Sequence, residues 1–76
     1  MIELNTLIIN KQTFNTAVIS FDSKRKAKKW MDVLIEKKIP HTKYISLGEV
    51  NLYTFKMFRI KNRVFELAVQ CKEVTK

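Results

Sequence analysis

The chain has 76 residues and a formal net charge of +8, because 15 Lys and Arg stand against 7 Asp and Glu. This length predicts a single domain, residues 1–76, whose core is small because such a chain buries only about 60 % of its unfolded surface. A hydrophobic content of 46 % excludes a disordered tail, and no apolar run reaches the ~20 residues of a membrane-spanning helix. The first ten residues hold Glu3 and no Lys or Arg, unlike a secretory signal peptide, so we expect a cytoplasmic protein without a membrane partner.

Two β-branched, apolar runs open the chain. They cover residues 2–9 and 14–21, and the polar triplet Asn10, Lys11 and Gln12 separates them. This pattern predicts two strands joined as a hairpin.

A single amphipathic helix is predicted after the hairpin. Asp22 or Ser23 is a candidate N-cap, and Pro40 ends the segment because the residue before a proline is disfavoured in the helical region. At 100° per residue, one stripe of the helix is apolar and should face the core, with Ala27, Trp30, Met31 and Leu34 on it. The opposite side is charged and carries Arg25, Lys28, Lys29, Asp32 and Glu36.

After Pro40 the hydrophobic period changes to two, which predicts strands over residues 41–47 and 51–60. The last segment, residues 63–72, is ambiguous. Phe65, Leu67, Val69 and Cys71 alternate as in a strand, whereas Val64, Leu67, Ala68 and Cys71 fit one face of a helix. We favour a strand, because the tight turn expected at Lys61 and Asn62 suits a hairpin. The predicted fold is therefore α+β, a mostly antiparallel sheet of order β-β-α-β-β-β with one amphipathic helix packed on one face.

The long predicted strand is apolar on both sides, with Tyr53, Phe55 and Met57 on one and Leu52, Phe58 and Ile60 on the other. A single helix covers only one of these faces, and strands that are apolar on both faces are normally covered on both. Curling of the sheet, a homodimer through the free sheet face, or nucleobases stacked on the aromatic rings would each cover the second face. We favour curling or self-association, because aromatic residues in strands belong to cores more often than to binding platforms.

The sequence offers little for catalysis. His41 is the only histidine and Cys71 the only cysteine, so neither a four-ligand zinc site nor a cysteine-histidine pair is indicated. Gly48 is the only glycine, which excludes glycine-rich phosphate loops. We expect no metal, no cofactor and no enzymatic activity, and we interpret Cys71 as a buried, inert thiol.

Charge provides the strongest signal in the chain. Five cations crowd the start of the predicted helix: Lys24, Arg25, Lys26, Lys28 and Lys29. A helix N-terminus carries a partial positive charge, so each such cation is opposed by about 0.3 to 1 kcal/mol. A local rule broken without compensation indicates a functional site, and backbone N–H groups beside cations favour phosphate. Further cations are expected to extend this surface across the sheet: Lys43, Lys56, Arg59, Lys61 and Arg63.

These features predict a small, basic, non-enzymatic protein that binds nucleic acid, either DNA or RNA, through the start of its helix. Its length and lysine content suit an accessory factor of a phage or another mobile element. With about five phosphates neutralised, log K should fall with log salt at a slope of about −4.5 on duplex DNA. The alternative is a protein-protein modulator or inhibitor that docks on an acidic surface of a host protein. Twelve Lys against three Arg predict weak sequence discrimination.

Overall fold

A computed structural model describes residues 4–42, 45–47 and 50–76, with residues 45–47, 50 and 51 described by their backbone only. The described residues form two antiparallel strand pairs, each followed by a helix. The elements are β1 Ile8–Ile9, β2 Ala17–Phe21, α1 Lys24–Glu36, β3 Ile45–Leu47, β4 Val50–Met57 and α2 Val64–Val74. The predicted α+β class with an antiparallel sheet is confirmed. The order is β-β-α-β-β-α, so the predicted order with one helix is wrong.

The sheet has the strand order β1-β2-β4-β3, and every neighbouring pair is antiparallel. β2 pairs with β4 from Ala17 opposite Met57 to Phe21 opposite Tyr53. Apolar side chains of this central pair, including those of Ile19 and Phe55, belong to the buried core. β2 therefore lies in the middle of the sheet, between β1 and β4.

The predicted first hairpin exists, but its strands are shorter than expected. Of the residues that the structure describes, only Ile8 and Ile9 of the first predicted run form a strand, while residues 2 and 3 lie outside the described part. Phe14, predicted as the start of the second strand, lies in the connection with φ of 52° and a half-exposed side chain. Its N–H donates to the Asn10 carbonyl oxygen at 2.7 Å. The Asn10 Oδ1 and the Thr13 Oγ1 accept hydrogen bonds from the N–H groups of Gln12 and Asn15, and these local turns override the β propensity of the phenylalanine.

α1 forms where the sequence predicted it. Ser23 is the N-cap, and Ala27, Trp30 and Leu34 are completely buried against the sheet. Met31 packs beside them and remains partly exposed. The predicted apolar stripe is confirmed, and so is the exposure of the charged side of the helix, which carries Arg25, Lys28, Lys29, Asp32 and Glu36.

The C-terminus of α1 ends in a Schellman motif rather than at the proline. Lys38 adopts a left-handed conformation with φ of 56°, and its N–H donates to the Ile35 carbonyl oxygen at 3.1 Å. The N–H of Ile39 donates to the Leu34 carbonyl oxygen at 2.9 Å. Both hydrogen bonds satisfy carbonyl groups that the helix end would leave unpaired, and the buried Ile39 side chain supplies the apolar contact typical of the motif.

Replacing Lys38 by glycine is expected to raise the free energy of unfolding by about 1 kcal/mol, because glycine adopts the left-handed conformation without a steric penalty. Urea denaturation measures the change. Lys38→Ala is the matched control, since alanine removes the charged side chain but keeps the Cβ atom, and it should give no gain. Equal stability of the glycine and alanine variants would contradict the left-handed assignment.

The strand predicted over residues 63–72 is wrong, because Val64–Val74 forms the helix α2. Leu67, Cys71 and Val74 follow a helical spacing and are buried, whereas Phe65 is 83 % exposed. The apolar residues of this segment fit both the strand period of two and the helical period of about 3.6. In the structure, the helical face packs into the core. The buried position of Cys71 agrees with the interpretation of its thiol as a small hydrophobe.

Both helices contribute to one core cluster together with Ala17, Ile19 and Phe21, so both pack on the same face of the sheet. Tyr53, Phe55 and Met57 lie on this face as predicted. The prediction for the opposite face is wrong in part, because Phe58 and Ile60 both lie beyond the end of β4 and Ile60 is buried in the core. The opposite face has a polar centre, where the hydroxyl groups of Ser20 and Thr54 form a hydrogen bond of 2.8 Å beside the exposed Lys56. A homodimer through this face stays a prediction.

Candidate nucleic-acid interface

The N-terminus of α1 is an uncapped helix end. Ser23 has an extended backbone, with φ of −136° and ψ of 133°, and its side chain forms no capping hydrogen bond. The first helical hydrogen bond runs from the Ala27 N–H to the Ser23 carbonyl oxygen at 3.0 Å. The N–H groups of Lys24, Arg25 and Lys26 therefore have no acceptor within the helix. They point outward from the end of the helix that carries the partial positive charge.

The cations around this helix end differ in their surroundings. Lys26 is partly buried, and its Nζ lies 3.4 Å from a carboxylate oxygen of Asp22. Four further cations are exposed and form no ion pair with any carboxylate of the described residues, namely Lys24, Arg25, Lys28 and Lys29. We call these four residues the α1 cluster. Asp22 thus offsets one of the five positive charges, and the α1 cluster retains a charge of +4.

Within residues 24–36 the charge along α1 is opposite to the arrangement that stabilises a helix, although Lys37 and Lys38 directly after it place cations at its C-terminus. Its first turn contains no acidic residue and its last turn no basic one, while Asp32 and Glu36 lie toward the C-terminus. Helices are stabilised by acidic residues near the N-terminus and by basic residues near the C-terminus. α2 of the same protein follows that rule, with Glu66 in its first turn and Lys72 in its last turn. The reversal is therefore specific to α1.

The remaining predicted site residues lie elsewhere. Lys56 is on β4, and Arg59 and Lys61 follow that strand, close to the connection between β1 and β2. This connection precedes β2 and α1 follows it, so the two basic regions lie at opposite ends of a strand about 14 Å long. The structure thus brings five predicted residues together at α1 and separates three others from them. Lys43 lies outside the described residues.

Arg63 has a structural position instead. Its guanidinium group is partly buried and donates a hydrogen bond to the Lys37 carbonyl oxygen at the end of α1. The Lys37 ammonium group in turn forms an ion pair with Glu66 of α2. The hydrogen bond from Lys37, with the nearby Arg63 charge, holds the pKa of Glu66 below its ordinary value. These two interactions join the C-terminus of α1 to the N-terminus of α2, so Arg63 lies apart from the α1 cluster, and its predicted role in nucleic-acid binding stays a prediction.

The groups that could support catalysis are dispersed. His41 lies at the edge of the sheet beside Met57, and its Nδ1 is 2.8 Å from the Ile39 carbonyl oxygen. Burial raises the pKa of the Cys71 thiol, whose Sγ faces the Asn5 carbonyl oxygen at 3.8 Å. Within the described ranges, no three His, Cys, Asp or Glu side chains gather as metal ligands would. Among the described residues, the basic surfaces are therefore the candidate binding sites.

Sequence reasoning missed the position of Phe14. The sequence placed this residue inside a strand, whereas the structure exposes half of its side chain at the end of the sheet. The following residue, Asn15, was the available signal, because asparagine favours turns.

Comparison of the chain with protein-family models, with curated proteins and with solved structures finds no match. Neither α1 nor α2, the helices of the described part, combines the length and the apolar character needed to cross a membrane.

Proposed function

We propose that this protein binds nucleic acid without enzymatic activity, and that phosphate groups bind at the N-terminus of α1. The observation that carries the proposal is the reversed charge of this helix, with four exposed cations that form no ion pair among the described residues around an uncapped end. Such a reversal lowers the stability of the free protein. It is explained if a bound polyanion supplies the negative charge that the helix end lacks.

A phosphate at this position would interact with the helix in two ways. The outward N–H groups of the first turn would donate hydrogen bonds to its oxygens, as at other anion sites on helix N-termini. The ammonium groups of Lys24, Lys28 and Lys29 and the guanidinium group of Arg25 would neutralise neighbouring phosphates along the backbone. The spread of these side chains over two turns suits a row of phosphates better than a single small anion.

The composition of the α1 cluster argues for weak sequence preference. Three of its four members are lysines, which act as point charges on phosphate. Arg25 is the one member that could read guanine through two hydrogen bonds. We therefore propose binding to the phosphate backbone of DNA or RNA with little discrimination between sequences.

A salt titration of the binding to a short DNA duplex tests this proposal. With four phosphates neutralised, a plot of log K against log salt should have a slope of about −3.6. Fluorescence anisotropy of a labelled duplex measures this slope between 50 and 300 mM salt, roughly the range in which such contacts respond. Absence of binding at the lowest salt concentration would end the proposal. In that case, the protein should be tested for binding to an acidic host protein. If this binding persists after nuclease treatment, it would favour the alternative function as a protein-protein modulator.

A further inference from the structure

A second basic surface lies at the other end of the sheet and differs from the α1 cluster by its aromatic side chains. We call it the tip patch, and its members are Phe14, Lys56, Phe58, Arg59 and Lys61. The N–H of Ile60 donates to the Asn15 carbonyl oxygen at 3.0 Å, which fastens the segment after β4 to the connection between β1 and β2. Residues 14 and 59 are therefore close in space, although 45 positions separate them in the chain.

Two backbone conformations in the tip patch favour glycine, yet large side chains occupy them. Phe14 has φ of 52° and Arg59 has φ of 56°. Phe14 is 49 % exposed, and Arg59 is exposed as well. Core packing does not explain an aromatic ring and a cation held outward in this way. Unfavourable backbone conformations of this kind concentrate at binding sites.

The charge of the tip patch is not compensated by nearby acids in the chain. The segments that build it, residues 4–21 and 50–62, contain no Asp or Glu and hold Lys11, Lys56, Arg59 and Lys61. The Nζ of Lys56 lies 5.6 Å from the ring centroid of Phe58, so one cation already stands over an aromatic face. The exposed Phe65 of α2, in contrast, is next to the carboxylate of Glu66 in the chain. Of the exposed aromatic sites among the described residues, the tip patch is thus the one complementary to a polyanion.

We infer that the tip patch binds single-stranded nucleic acid, with a base stacked on the Phe14 ring and phosphates held by Arg59 and Lys61. Exposed rings set among cations are the means by which proteins bind single strands, because every base offers a face for stacking. The bases of a duplex are already stacked and cannot use the ring. This inference rests on the proposed binding of nucleic acid. It specifies a single strand as the ligand and places its binding site apart from α1.

The test replaces Phe14 by asparagine, which removes the ring and tolerates the left-handed conformation. Two labelled probes are used, a single-stranded oligothymidine and a DNA duplex of the same length. Phe14→Asn is expected to weaken binding of oligothymidine about tenfold, the effect of losing one stacked base. Binding of the duplex should change by less than about twofold, because phosphate contacts dominate it.

Phe65→Asn is the matched control, since it removes an exposed phenylalanine outside the tip patch, and it should leave both affinities unchanged. Arg59→Gln is a second variant in case Phe14→Asn lowers the melting temperature. It should also weaken the binding of oligothymidine more than the binding of the duplex. Unchanged oligothymidine binding by Phe14→Asn, or an equal loss on both probes, would overturn the inference. If the protein binds oligothymidine in a Phe14-dependent way but does not bind the duplex, the result would contradict the α1 proposal. The same result would support the tip patch as a binding site.

Discussion

Replacement of Lys24, Arg25, Lys28 and Lys29 by glutamine is expected to stabilise the fold and to weaken nucleic-acid binding in the same variant. Glutamine matches lysine and arginine in helix propensity, so the change acts mainly on charge. Removing cations from the positive end of α1 should raise the free energy of unfolding by about 1 kcal/mol. For a domain of this size, that gain corresponds to a melting temperature about 4 to 8 °C higher.

The four-glutamine variant should bind nucleic acid more weakly because it loses phosphate contacts. Each contact contributes about 0.9 to the salt slope on duplex DNA, so the slope of the variant should approach zero. Thermal denaturation and fluorescence anisotropy on the same protein samples measure the two effects. Opposite changes in stability and affinity would identify the helix start as a binding site that is maintained at the expense of stability. A variant that is stabilised and binds as tightly as before would contradict the proposal.

The second large effect is expected at Trp30, which is the largest completely buried side chain. Its ring centroid lies 6.0 Å from that of Phe21, in the core between α1 and the sheet. Trp30→Ala should lower the free energy of unfolding by about 3 to 5 kcal/mol, because it removes apolar contacts and leaves a cavity. A domain of this size has a total stability of only about 4 to 11 kcal/mol. Urea denaturation should therefore show a largely unfolded or barely stable variant.

Ile35→Ala is the control for this substitution, since Ile35 belongs to the same helix and is 60 % exposed. It should change the free energy of unfolding by less than about 0.5 kcal/mol. Trp30→Phe should cost less than Trp30→Ala, because it keeps a ring and removes an indole N–H that has no hydrogen-bond partner among the described residues. Equal effects of Trp30→Ala and Ile35→Ala would show that α1 does not dock by the stripe assigned to it.

The elements predicted best from the sequence are those with one clear period. The stripe of Ala27, Trp30 and Leu34 has a helical spacing only, and all three residues are buried. Residues 63–72 fit two periods, and the choice between them depends on which face the existing core can accept. Propensity favoured a strand there, and tertiary packing decided for α2. Phe14 shows the same effect on a smaller scale, since local turn formers overrode its preference for a strand.

The candidate interface was predictable where it is local in sequence. The four residues of the α1 cluster lie within six consecutive positions, so a count of charges and the expected helix start were sufficient to propose it. The tip patch was not predictable in this way, because the hydrogen bond between Ile60 and Asn15 brings Phe14 and Arg59 near each other from two segments distant in the chain. The structural position of Arg63 was equally hidden, since the carbonyl group it binds belongs to the end of another helix.

We propose that the position of the cations at α1, and not the net charge of the protein, determines binding. Two variants that lose the same charge test it most directly, Lys24→Gln/Arg25→Gln at α1 and Lys38→Gln/Lys72→Gln outside the cluster. Their affinities for one labelled DNA duplex are measured at the same salt concentration. The α1 variant should bind several-fold more weakly than the control variant. Equal affinities of the two variants would contradict the claim.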